Sequence, residues 1–108
     1  MSFDPMAAAV DWLDAYRAGD VEAILDMCAD DAVVYCECGS SKTLTGREAL
    51  RAYWVDRLKH HPAFELDDLR LSRTEPVISY FTSDGVVKAI LTFNAVGQIR
   101  ELSCGPAN

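Results

Sequence analysis

The sequence predicts an α+β domain in which three N-terminal helices pack into a curved antiparallel sheet. Three observations carry that expectation. Apolar residues recur at three- and four-residue spacing through the first half of the chain, the mark of helices buried on one face. The second half consists of β-rich runs separated by short turns containing Gly, Asn and Asp. Helices first and meandering strands afterwards indicate α+β rather than alternating α/β. The 108 residues, half of them hydrophobic, suffice for one core, so residues 1–108 are read as a single domain.

Asp4-Pro5 reads as a helix start, because Asp caps and proline fits the first turn. Met6, Ala9, Val10, Leu13 and Tyr16 form its apolar stripe, with Trp12 on the flank, and Gly19 ends it. Asp20 caps a second helix carrying Val21, Ile24, Leu25 and Cys28, which exits at Asp30-Asp31. Ala32 to Cys36 is a short valine-rich strand broken by Gly39-Ser40-Ser41. Thr45-Gly46-Arg47-Glu48 fits a capping box for the third helix. Its stripe is Leu50, Tyr53, Trp54 and Leu58, with Arg57 and His61 alongside, and Pro62 ends it. Phe64–Leu71, Val77–Thr82, Val86–Phe93 and Gln98–Cys104 are strands. Ser83-Asp84-Gly85 and Asn94-Ala95-Val96-Gly97 are the turns joining the last three.

Composition excludes several functions. The net charge of −7 opposes binding to nucleic acid or to an anionic membrane, both of which need clustered Lys and Arg. Only Arg51, Arg57 and Lys59 group loosely. The longest apolar runs are too short to span a bilayer, and Met1 to Pro5 lacks the basic and apolar regions of a secretory signal. A cytoplasmic protein is expected, with Cys28, Cys36, Cys38 and Cys104 as reduced, buried thiols. Cys36-Glu37-Cys38 puts two thiols on one strand face, but C-x-C is not the paired C-x2–4-C spacing of a zinc site, and no metal or cofactor is expected.

Local sequence carries a family resemblance. Gly19-Asp20-Val21-Glu22-Ala23-Ile24 followed by Ala29-Asp30-Asp31-Ala32-Val33-Val34 resembles the "GD…ADDAxV" stretch of the NTF2-like superfamily. Gly46-Arg47-Glu48-Ala49-Leu50 is similar to its third-helix start, and Phe93 to Ile99 to the hairpin before its last strand. The resemblance, to SnoaL-like and ketosteroid isomerase-like small proteins, implies an NTF2-like cone enclosing a pocket. It leaves the activity open, because this fold hosts enzymes and binding modules alike. Ketosteroid isomerase chemistry is not implied. The position of that family's aspartate base is Cys36, that of its tyrosine donor is Trp12, and that of its protonated aspartate is Ala89. The Asp–His pair of the polyketide cyclases has no counterpart either, since His60 and His61 stand at the end of the third helix.

The resemblance implies a lining of Trp12 and Tyr16 from the first helix, Cys28 from the second, and Val34, Cys36 and Cys38 from the first strand. Tyr53, Trp54 and Leu58 follow from the third helix, then Ala89, Leu91, Leu102 and Cys104 from later strands. Tyr80 joins them if the Ser83–Gly85 turn is a two-residue loop, and faces outward otherwise. Arg57 either clamps a carboxylate at the pocket mouth or, the preferred reading, sits on the rim near Asp67 and Asp68. Of Arg100 and Glu101, the resemblance favours Arg100 as inward.

Two functions are carried forward. One is a small-molecule site for a hydrophobic, aromatic or carboxylated metabolite, with acid–base turnover undecided. The other is a non-catalytic module that dimerises through the outer sheet face, at Val86, Lys88, Ile90, Thr92, Ile99, Glu101 and Ser103.

Overall fold

Helix α1 (Pro5–Ala18) begins where the Asp4 carboxylate accepts from the backbone N–H groups of Met6 and Ala7, at 3.0 and 3.3 Å. It ends at Gly19, whose φ of 74° takes the left-handed conformation that closes a helix, while Asp20 N–H reaches back to the Ala15 carbonyl. Asp20 then caps α2 (Val21–Asp26) by accepting from Ala23 N–H at 3.1 Å. A computed structural model of the chain describes residues 4–36, 42–60, 62–73, 75–83 and 85–106; of Cys36, Lys42 and Pro106 only the backbone is described. The expectations for Glu37 to Ser41, including Cys38, and for His61 and Asp84 lie outside these residues.

The remaining elements are β1 (Cys28–Cys36), β2 (Lys42–Thr45), α3 (Arg47–His60), β3 (Leu66–Ser72), β4 (Glu75–Thr82), β5 (Gly85–Phe93) and β6 (Ile99–Pro106). They form one six-stranded sheet in the order β2-β1-β6-β5-β4-β3. All neighbours are antiparallel except β1 and β6, which run parallel. Among the described residues no helix is long and apolar enough to cross a membrane. Helix α1 lies against β3 and β4, α2 against α1, α3 and β1, and α3 against β2 as well. The helices thus fill one face of the sheet.

The structure departs from several sequence expectations. The first strand starts at Cys28, not Ala32, and Cys28 is not on the second helix. The Met27 carbonyl accepts from Ile99 N–H at 2.8 Å, so pairing with β6 captures the chain before another helical turn forms. Strand β2 was not expected. It pairs Lys42–Thr45 with Cys36–Val33 as a short, polar edge strand whose apolar alternation is too weak to notice. The first intrahelical bond of α3 runs from Leu50 N–H to the Gly46 carbonyl, which puts Gly46 (φ 93°), not Thr45, at the cap.

Strand β6 carries the most consequential departure. Thr92 pairs with Glu101, but Phe93 pairs with Ile99, so Arg100 is an extra residue in the ladder. The bulge inverts the alternation. Ile99, expected on the outer face, is buried, and Arg100, expected inward, is exposed.

Candidate functional site

The buried stripe of α1 is Ala9, Trp12, Leu13 and Tyr16. Met6 and Val10 are only half-buried, so Trp12 lies at the centre of the stripe and not on its flank. On α3 the buried residues are Leu50, Trp54 and Arg57, at i, i+4 and i+7, with Tyr53 and Leu58 half-buried beside them. In β4 and β5, Thr82 pairs with Gly85 and Tyr80 with Val87, so the hairpin has a two-residue loop. That register sends Tyr80 inward with Ile78, Val87 and Ala89.

These three elements bring the aromatic rings together. Trp12 meets Tyr16, Trp54 and Tyr80 at centroid separations of 5.7, 5.9 and 5.8 Å, and Tyr16 meets Trp54 and Tyr80 at 5.1 and 5.6 Å. Tyr53 touches Trp54 at 5.0 Å. Every pair is edge-to-face, the arrangement in which a ring's positive edge meets its neighbour's negative face. Each such pair contributes about 0.5–1.5 kcal/mol beyond burial. Ala89, Leu91, Leu102 and Cys104 close the cluster from β5 and β6, and all are buried with Val34 of β1.

Arg57 is in this group, not on the rim. It is 4 % exposed, with its guanidinium carbon 5.9 Å from the centroid of the Tyr53 ring. The expected acidic neighbours are elsewhere: Asp67 and Asp68 are exposed, and Asp68 lies 3.6 Å from Arg70. Burial is the largest influence on Arg57 and opposes its charge. The surrounding Tyr53, Tyr80, Tyr16 and Cys104 favour the charge and outweigh it, so the guanidinium is held above its ordinary value. The Cys104 thiol and the Tyr53 hydroxyl are 3.5 Å apart. The rim is the preferred reading of Arg57 from sequence, because long charged side chains usually keep their heads in water. The i, i+4, i+7 spacing was the signal that would have found it.

The family sequence profile of the SnoaL-like domain matches residues 9–101, which spans both the helical layer and the strands that hold the cluster. The chain belongs to the SnoaL-like domain family. Solved structures agree in fold. A SnoaL-like protein of unknown function from Burkholderia thailandensis E264 superposes with a TM-score of 0.82 at 22 % identity, over 96 % of this chain and 95 % of that one. An uncharacterized cystatin-fold protein from Novosphingobium aromaticivorans gives 0.76 at 17 % identity, over 97 % and 100 %. No curated protein matches the sequence.

Within this SnoaL-like domain the polar tips of the cluster stand out. The indole Nε1 of Trp12, the indole Nε1 of Trp54 and the hydroxyl of Tyr80 are buried with no hydrogen-bond partner. Burial holds the Tyr80 hydroxyl protonated well above its ordinary range. Arg57 acts on Tyr80 in the opposite direction, but the two meet without the distance and angle of a full hydrogen bond. Among the described residues the buried polar side chains are Arg57, Ser79 and Thr82, and no Asp, Glu or His is buried.

Two expected lining residues have a different standing. Cys28 donates to the Ile24 carbonyl at 3.3 Å, and burial pushes its thiol up to about 11, with Arg47 opposing. Arg47 opens α3, ten residues before Arg57 and so about 15 Å away along the helix. Cys28 therefore stands at the end of the domain where α3 starts. Cys36 is described by its backbone alone and lies opposite Cys104 in parallel register. Apart from the cluster, an open groove of about 560 Å³ is lined by Asp14, Arg17, Ala18, Ala63, Phe64 and Glu65. Among the described residues no group of three His, Cys, Asp or Glu stands close enough to hold a metal ion.

Proposed function

We propose that the cone interior of this domain binds a small organic molecule against the Trp12, Tyr16, Tyr53, Trp54 and Tyr80 cluster. The observation that carries the reading is the set of three fully buried donors, Trp12 Nε1, Trp54 Nε1 and Tyr80 OH, without acceptors. A buried donor left unsatisfied costs about 1–3 kcal/mol, so three on one cluster are a standing expense unless something else supplies acceptors. Tyr53 and Leu58 are half-buried and mark the side from which a ligand reaches the rings. Aromatic walls with a few convergent polar groups are typical of small-molecule sites. Acid–base turnover would need a base, and the buried residues described offer none, so binding is the function proposed. Native mass spectrometry of protein purified without additions should show an organic mass that Trp12→Ala and Tyr53→Ala remove. If both variants bind every ligand found by screening as well as the parent does, the reading is wrong.

The outer sheet face supports a second reading, a homodimer. Phe81 and Tyr35 are 42 % and 39 % exposed, and the register places Phe81, Val86 and Ile90 on the same side as Tyr35. Lys88, Thr92, Glu101 and Ser103 share that face, whereas Ile99 does not. Sedimentation at micromolar concentration should give a dimer, and a monomer there contradicts it.

A further inference from the structure

We infer that the head group taken up by the aromatic cluster is a carboxylate and that Arg57 recognises it; this rests on the binding function proposed above and names its ligand class. Three features converge. First, the groups that wait for partners have one polarity. An indole N–H only donates, so Trp12 and Trp54 call for an acceptor, and the Tyr80 hydroxyl, kept protonated by its burial, has a hydrogen to give as well. Second, the charge embedded among them is positive. Arg57 is 4 % exposed, and Tyr53, Tyr80, Tyr16 and Cys104 all lie within reach of its field. Third, no carboxylate or imidazole is buried among the described residues, so none of them adds a negative charge beside these donors.

Each class of ligand fits this set differently. A hydrocarbon leaves the orphaned donors as they are. A neutral carbonyl satisfies one or two of them but makes little use of the cation. A cation is repelled. A carboxylate presents two oxygens with about four acceptor sites, accepts from a guanidinium in the two-pronged geometry that arginine favours, and has lone pairs left for an indole or phenol donor. Its body must then lie on the rings. The rings of the cluster favour edge-to-face partners, and a flat unsaturated skeleton offers them an edge and a face where a branched chain offers neither. The class is therefore a compact aromatic or conjugated monocarboxylate.

The test compares acids with their neutral isosteres on the full chain at pH 7. The probes are benzoate, trans-cinnamate and 2-naphthoate, each against its primary amide, titrated by calorimetry. The chain has two tryptophans, both in the cluster, so their indole N–H signals report whether a probe reaches this site. At least one acid should shift both indoles and bind about 5- to 12-fold more tightly than its amide, the ratio expected for a charge-assisted hydrogen bond over a neutral one. Arg57→Gln should bring that ratio towards one, and Arg57→Lys should keep the preference for the acid. The wild-type comparison alone is decisive should either variant fail to fold. If acid and amide shift the indoles with equal affinity, carboxylate recognition is refuted and the pocket stands. If no probe of either kind moves the indoles, both fall.

Discussion

Removal of the Tyr80 hydroxyl separates a core built only for stability from a core that holds a site. Tyr80 is fully buried, and its ring is held by Trp12 and Tyr16 at 5.8 and 5.6 Å, contacts that a phenylalanine retains. Its hydroxyl has no hydrogen-bond partner. In an ordinary core a buried tyrosine hydroxyl is bonded, and Tyr→Phe costs about 1 kcal/mol. Here the substitution removes a group whose burial alone costs about 1–3 kcal/mol, while the part returned as lost attraction to Arg57 is smaller because the two lack full hydrogen-bond geometry. Tyr80→Phe should therefore raise the stability of the ligand-free chain by about 1 kcal/mol. For a domain of this size that is a rise in Tm of about 4 °C, or a shift of about 0.5 M in the urea midpoint with the slope unchanged. The same variant should lose affinity for the ligand, the usual exchange of stability for function at a site. Urea unfolding followed by tryptophan fluorescence measures it directly. A fall in stability of about 1 kcal/mol would refute the reasoning, because it would mean that the hydroxyl is bonded in the folded chain.

Three further outcomes follow from the same structure. Arg73 sits between β3 and β4 at a φ of 60°, which costs any residue with a Cβ. Arg73→Gly should stabilise by about 0.5 kcal/mol after the extra freedom of glycine in the unfolded chain is allowed for, checked by thermal unfolding. Stability should also fall on the alkaline side. Cys28 and Tyr80 are both held protonated by burial, so above pH 9 the folded chain binds more protons than the unfolded one. The contribution is intact below the unfolded value of each group and is lost as pH rises, first for Cys28 between 9 and about 11, then for Tyr80 from 10 upward. Denaturation midpoints at pH 8 and pH 10.5 check this, and Tyr80→Phe should flatten the decline. For the same reason Cys28 should resist iodoacetamide in the folded chain at pH 8 and react only after unfolding, as peptide mass spectrometry would show.

Much of the fold was legible because its local signals agree. Asp4, Pro5, Gly19 and Asp20 are caps whose chemistry acts within one turn, and all four work as their residue types require. The Asn94–Gly97 turn is equally local: the Asn94 side chain accepts from Val96 and Gln98, and Gly97 takes a φ of 86°. What was not legible depends on pairing between distant segments. The start of β1 is decided by Ile99, more than seventy residues away, and the inversion at Arg100 by a bulge that no residue in β6 announces. The site divides in the same way. Trp12, Tyr16, Tyr53 and Trp54 could be named from the family resemblance, and Tyr80 only on the condition of a two-residue hairpin loop, whereas their contacts depend on how α1, α3 and β4 come together. The rim reading of Arg57 fails because its helical phase, one face with Leu50 and Trp54, outweighs the general tendency of charges to stay wet.

The most direct test is the ¹H–¹⁵N spectrum of the two indole N–H groups, recorded as benzoate, trans-cinnamate or 2-naphthoate, and then its amide, is added to the full chain until one acid binds. Both resonances should move downfield and saturate together as Trp12 and Trp54 gain acceptors, with no change at Arg17 or Phe64 in the separate groove. If the indole signals stay fixed with every one of these acids and their amides, while groove amides move or while nothing moves at all, these rings are core alone and the proposed site does not exist.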